Sequence, residues 1–209
     1  MTQLLPILFA AVVGFGHAFE ADHLVAVSNI VTKRSKLKLA MRDGIYWGLG
    51  HTSTVLLIGI AMMVGKLMID ENIFRYLEAG VGVMLILIGL YRLLPLFKYK
   101  TENHHTHHVN DKNHHHVAYG IGAVHGLAGS GVMVLLVMTE VKETLPSLLY
   151  LLLFGLGSVV GMLVASGLFS LPFSKFFTKN RKVQLGLIVL SSILCLFFGS
   201  KIVYANIIG

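Results

Sequence analysis

A single cysteine, Cys195, stands in 209 residues, so a disulfide within the chain is impossible and a cage of thiolates around a metal is excluded. Charge is scarce too. Only 13% of the residues are Asp, Glu, Lys or Arg, against roughly 25% in a soluble domain. No Lys or Arg precedes Lys33, so the amino-terminal MTQLLPILFAAVVGFGHA lacks the basic region of a secretory signal. That run also leads straight into charged residues and continues beyond them, so it reads as a span. The sequence has no His-Glu-x-x-His and no phosphate-cradling glycine loop, which argues against an intramembrane metalloprotease and against ATP hydrolysis. No enzyme is expected.

What is present is apolar. Hydrophobic residues make up 55% of the chain, and mean hydropathy is +0.75. Apolar runs recur near 4–30, 43–65, 74–97, 117–139, 146–171 and 183–207. Each suits a helix crossing the roughly 30 Å hydrocarbon layer, which takes about 20 residues. Backbone groups find no water in lipid, so spans of this kind are helical. The pattern predicts an all-α integral membrane protein with six transmembrane helices.

The net charge of +7 is a topology signal and does not point to nucleic acid. Lys33, Arg34, Lys36, Lys38 and Arg42 follow the first run, Lys98, Lys100 and Lys112 the third, and Lys175, Lys179, Arg181 and Lys182 the fifth. The other two loops hold few basic residues, mixed with acidic ones. Cytoplasmic loops concentrate Lys and Arg. The expectation is a multi-pass protein of the cell membrane with both termini outside and residues 98–116 in the cytoplasm.

The two halves resemble each other. FGHAFEADHLVAV can be laid on AVHGLAGSGVMVL with His17 over His125, and GLGHTSTVLLIGIAM (48–62) then falls on GLGSVVGMLVASGLF (155–169). His17 to His51 is 34 positions, and His125 to Ser158 is 33. EAGVGVMLILIGLY (78–91) lies over QLGLIVLSSILCLF (184–197) in the same way. Three spans per half would insert the halves in opposite senses, as in the inverted repeats of secondary transporters. The expected organisation is a first three-helix repeat over 1–97, a loop over 98–116 and a second repeat over 117–209.

The first half carries ionisable groups that the second lacks. GFGHAFEADHLVAV, residues 14–27, holds His17, Glu20, Asp22 and His23. An Asp at the centre of a span costs roughly 2.5–3.5 kcal/mol on insertion scales, so such an accumulation points to function. Imidazole with carboxylate is a ligand set for borderline divalent cations such as nickel, cobalt, copper or zinc. At about 100° per residue, Glu20 and His23 share a stripe with His17 while Asp22 points elsewhere. Asp22 therefore orients a ligand or a neighbouring helix, or the helix is interrupted around Gly14 and Gly16. His51 adds an imidazole from the second span beside Thr52, and His125 one from the fourth. Glu20, Thr52 and His125 stand as further ligands or as hydrogen-bond partners of ligands. The methionines, Met62 and Met162 among them, read as packing.

His17-x4-Asp22-His23, followed by Leu49-Gly50-His51, resembles the paired signature of the nickel/cobalt transporter family. The short length and HGLAGSG at 125–131 resemble its UreH-like branch, found beside urease maturation proteins. The resemblance covers nearly the whole chain. It implies a nickel or cobalt permease with His17, Asp22, His23 and His51 as ligands, urease maturation proteins as partners, and no permanently bound cofactor, Ni2+ or Co2+ being the cargo. Import is favoured, since the membrane potential draws cations inward. Relatives with cytoplasmic histidine loops act in efflux. This chain departs from longer members, which have eight spans and often Asp where Glu20 stands.

Between the halves, TENHHTHHVNDKNHHH holds His104, His105, His107, His108, His114, His115 and His116. Histidine-rich tracts read as metal binding. The tract has no apolar periodicity and is expected to be a loop that buffers metal, hands it to a cytosolic metallochaperone or senses excess. A rival from another class is a membrane b-type cytochrome with His17, His51 and His125 as axial ligands. That reading leaves Glu20, Asp22 and the tract without a role.

Overall fold

The computed structural model describes residues 4–31, 34, 36–65, 70–97, 114–128, 144–173 and 181–209. Among them are seven α-helices: α1 (Leu4–His17), α2 (Ala21–Val31), α3 (Leu37–Gly65), α4 (Glu71–Phe97), α5 (His114–Ala128), α6 (Thr144–Ser170) and α7 (Arg181–Ile207). A 3-10 turn, Leu171–Phe173, closes α6. Four of the helices, α3, α4, α6 and α7, are long and apolar enough to cross a membrane. Their outward faces carry side chains such as Leu57, Leu156, Leu190 and Phe197, all exposed. Within each helix the backbone satisfies its own hydrogen bonds, as lipid requires. The chain is an all-α, multi-pass membrane protein.

The first apolar run differs from its expected form. It is not one helix but two, separated at Ala18, Phe19 and Glu20. The ladder gives way to a tight turn, in which Phe19 N–H donates to Gly16 O at 2.9 Å and Glu20 N–H to His17 O at 3.0 Å. A new ladder opens when Leu24 N–H donates to Glu20 O at 2.9 Å. The interruption expected around Gly14 and Gly16 falls later, because both glycines lie inside α1. Gly14 is there for close approach: a Cβ would overlap the carbonyl oxygen of Phe154 on α6.

Other boundaries move less. The helix α3 begins at Leu37, ahead of the apolar run at 43, and its first turns carry Asp43 inward against Arg34. This buried pair is bidentate, with Arg34 Nη2 donating to Asp43 Oδ1 at 2.9 Å. The helix α5 begins at His114, so the last three tract histidines are helical rather than loop. His104, His105, His107 and His108 lie outside the described residues, as does the remainder of the expected fourth span beyond Ala128.

Small residues set how the helices meet. In membranes they let backbones approach closely. A Cβ at Gly122 on α5 would overlap the carbonyl oxygen of Trp47 on α3, just as one at Gly14 would overlap that of Phe154. Gly50 is pressed against Tyr119 O, and Gly157 against Ala11 O. These contacts form pairs. An offset of 108, His17 to His125, carries Gly14 to Gly122 and Ala11 to Tyr119. An offset of 107, His51 to Ser158, carries Trp47 to Phe154 and Gly50 to Gly157. Between α3 and α6, Gly48 sits on Val159 while Gly155 sits on Thr52, so this contact is its own image. Register rises together in α1 and α6 and in α3 and α5, as in parallel helices. It runs oppositely between α3 and α6, and between α4 and α7, where Gly82 faces Gly199 and Gly89 faces Ser192.

The main core gathers Val25, Val27, Trp47, Leu85, Met162 and Cys195 from α2, α3, α4, α6 and α7. Met62 packs in a smaller cluster with Val55, Phe74 and Leu151. Asn29 ties α2 to α7, with Nδ2 donating to Ser191 O at 3.0 Å and to Cys195 Sγ at 2.9 Å.

Candidate metal centre

The break at Ala18–Glu20 turns a stripe into a cluster. His17 ends α1, while Asp22 and His23 open α2. The turn places the His17 and His23 rings 4.5 Å apart between centroids. Polarity suits the helix ends as well: a cation belongs near the carbonyl end of α1 and a carboxylate in the first turn of α2.

Each of these two rings has a carboxylate on one nitrogen. His17 Nδ1 lies 2.8 Å from Glu20 Oε1, and His23 Nδ1 lies 3.0 Å from Asp22 Oδ1. A ligating histidine usually donates its other ring N–H to a carboxylate or carbonyl, which fixes the ring and raises its basicity. Nε2 of both rings is buried and has no hydrogen-bond partner among the described residues. Those are the atoms that the arrangement leaves for a metal.

From α3, His51 brings its ring to 5.2 Å from His17 and 5.4 Å from His23. Both of its nitrogens are buried without a partner among the described residues. One nitrogen from each of His17, His23 and His51 falls in a group whose members lie within 4.8 Å of one another. Metal–nitrogen bonds of about 2 Å need donors roughly 3–4 Å apart, so closing on an ion takes shifts of about an ångström. Asp22, His23 and His125 form a second such group, also within 4.8 Å. His125, from α5, puts Nε2 3.7 Å from Asp22 Oδ2 and its ring 4.8 Å from that of His23. All four imidazoles are at most 5% exposed.

The other candidates sort differently. Glu20 stays largely exposed and reaches the cluster only through His17. Thr52 Oγ1 donates to Gly155 O at 3.0 Å, so its proton bridges α3 and α6. Of the tract, His115 stacks on Tyr46 at 4.8 Å and on His116 at 4.2 Å, away from both donor groups. The aromatic walls went unnoticed in the sequence. Phe154 lies 5.4 Å from the His17 ring, and Trp47 lies 5.6 Å from His23 and 5.8 Å from His125. The repeat register carried the signal, because it pairs Trp47 with Phe154.

Known proteins resemble this chain in sequence. Over 97% of its length this chain is 36% identical to the urease accessory protein UreH of Bacillus sp. (strain TB-90), covering 92% of that protein. The chain belongs to the UreH family. Partial matches extend from this UreH-family chain to nickel transporters. The nickel transporter NixA of Staphylococcus aureus (strain NCTC 8325 / PS 47) is 30% identical over 43% of this chain and 29% of its own length. The high-affinity nickel-transport protein NixA of Helicobacter pylori (strain ATCC 700392 / 26695) is 31% identical over 46% of this chain and 32% of its own length. No family model and no solved structure matches the chain.

Proposed function

We propose that this UreH-family protein carries a divalent transition-metal ion, nickel with cobalt as the alternative, across the cell membrane and into the cytoplasm. The carrying observation is the buried convergence of His17, His23 and His51, with unpaired Nε2 atoms on the two rings that carboxylates orient. His17, His23 and His51 bind the ion, Asp22 holds His23 and offers an oxygen, and Glu20 holds His17. The relatives named as nickel transporters support the cargo. The role is one of binding and release, with no chemical conversion and no resident cofactor.

The architecture that goes with this function is six spans in two inverted repeats, residues 1–97 and 117–209 around the linker 98–116. Support comes from the glycine contacts that recur at equivalent positions and from the parallel and antiparallel registers, which are those that a two-fold axis in the membrane plane produces. The basic loops support an orientation with both termini outside and the tract in the cytoplasm, where urease maturation proteins or a metallochaperone would take the ion. At 100 mV a divalent cation gains about 4.6 kcal/mol on moving inward, at roughly 2.3 kcal/mol per charge, so import needs no further energy source. A haem reading fits poorly. Axial imidazoles face each other across a macrocycle, whereas the His17 and His51 rings crowd to 5.2 Å.

Calorimetry with nickel on protein deleted for residues 103–116 tests the site, since the tract's own histidines would otherwise contribute. Submillimolar binding that His17→Ala or His23→Ala abolishes is expected. Wild-type binding in both variants rejects the intramembrane site. Nickel uptake into vesicles, with and without an imposed proton gradient, tests direction and coupling. For topology, an Asn103→Cys thiol should resist an impermeant reagent in intact cells; rapid labelling there rejects the orientation.

A further inference from the structure

The two donor groups share His23 but differ in what lies beside them. His17, His23 and His51 are enclosed, at 5%, 0% and 0% exposure. Asp22, in the second group, also lines a cavity of about 420 Å3 between the helix break, the first half of α4 and the end of α7. Glu20 and Glu78 line it too, together with Lys201 and Asn206. A second cavity, of about 460 Å3, runs along Ile30, Met84, Leu87 and Arg92 and offers a cation no carboxylate. Of these two, the first leads a divalent ion toward imidazoles. On the charge-derived topology it opens to the outside, where α4 begins and α7 ends.

Resting on the transport reading above, we infer that the protein holds its ion at two successive stations: an outer one of Asp22, His23 and His125, then an enclosed one of His17, His23 and His51. Asp22 Oδ2 and His125 Nε2, 3.7 Å apart, take the ion from the cavity. His125 is fully buried, with Nε2 facing Asp22 Oδ2 and its ring 4.8 Å from that of His23, so it sits between the carboxylate and the shared imidazole. Since His23 belongs to both groups, the ion exchanges the oxygen and one imidazole for two imidazoles without ever losing its last protein ligand. No covalent bond within the protein changes, and charge is conserved. His125 is thus a ligand of passage, while His51 is a ligand of retention.

The test compares His125→Gln with His51→Gln in the full-length chain, its seven tract histidines replaced by asparagine. Nickel chloride titration gives affinity, and initial nickel uptake into proteoliposomes gives rate. For His51→Gln, affinity should fall about 100-fold or more, beyond the 10–100-fold typical of losing a ligand's hydrogen-bond partner. For His125→Gln, affinity should change less than threefold while uptake slows at least tenfold. Cobalt(II) visible absorption, a readout of ligand geometry, should match the parent in His125→Gln and differ in His51→Gln. That match also certifies that His125→Gln is folded. Equal loss of affinity in both variants would mean one five-donor site and overturn the two stations. Parent-like uptake in His125→Gln would overturn them as well. Absence of nickel binding in the parent overturns the transport reading itself, and this inference with it.

Discussion

The earlier and later parts of this chain make matching glycine contacts and differ in chemistry. Gly14 against Phe154 and Gly122 against Trp47 are the same contact made twice. Yet α1 and α2 bring Glu20, Asp22 and two histidines together at their junction, whereas of the α5 histidines His125 alone belongs to a donor group among the described residues. On α6, Ser158 takes the place of His51. Its hydroxyl donates to Gly14 O at 3.1 Å and Phe154 O at 3.0 Å, so it fastens helices where its counterpart faces the centre. The glycines answer to backbone approach, which both halves need, while ligands need to converge only once. A scaffold can therefore stay doubled while its chemistry becomes one-sided.

The largest expected effect falls on the chemical half. His17→Ala or His23→Ala should lower nickel affinity by at least 100-fold, as loss of a direct ligand exceeds the roughly 10–100-fold cost of losing its partner. Titration of tract-deleted protein checks this. A loss confined to His125 would reverse the assignment of halves. Next comes Asp22→Asn, which removes the carboxylate holding His23. If Asp22 only orients that ring, affinity should fall about 10–100-fold with transport still measurable; near-complete loss would make its oxygen a ligand.

The scaffold gives a matched pair. Gly14→Ala and Gly122→Ala each force a methyl onto a carbonyl oxygen of the neighbouring helix. Each should destabilise by about 1–3 kcal/mol, the usual range for overpacking, and thermal unfolding in detergent should show similar losses. Marked inequality would break the equivalence of the halves. Smallest is the effect of deleting 103–116, which lies between the repeats. It should alter apparent affinity or regulation a few-fold while nickel flux persists; abolished flux, with the protein still in the membrane, would move the primary site into the tract.

Much of this was legible because lipid permits so little. Long apolar runs in a hydrocarbon solvent become helices, and α3, α4, α6 and α7 follow their runs to within a few residues. His17, Asp22, His23 and His51 stood out because ionisable groups in such runs are costly. The place of the helix break was not legible. Glycines drew attention to positions 14 and 16, but those residues serve contact with α6, and the turn falls at Ala18–Glu20 instead. Asp22 looked misdirected only on the premise of an unbroken helix. The approach of His125 to Asp22 was not legible for a related reason: it joins two helices, and no local spacing encodes that distance. The hydrogen bond from Thr52 to Gly155 O was not legible either, because a hydroxyl looks the same in sequence whether it faces an ion or a neighbour's backbone.

Each imidazole comes from a different helix: His17 from α1, His23 from α2, His51 from α3 and His125 from α5. The tract between the halves is the opposite, with seven histidines on one short stretch. A contiguous ligand run keeps its grip wherever the chain goes, because its donors travel together. A chelate spread over four helices has no such permanence. Bonds of about 2 Å tolerate little displacement, so sliding one helix by an ångström or two lowers denticity and loosens the ion without altering a single side chain. A peptide copied from residues 14–27 would carry two of the four imidazoles and little of the affinity. On the proposed site, binding strength is a coordinate of helix arrangement, so a carrier built this way can hold its ion tightly in one arrangement and surrender it in the next.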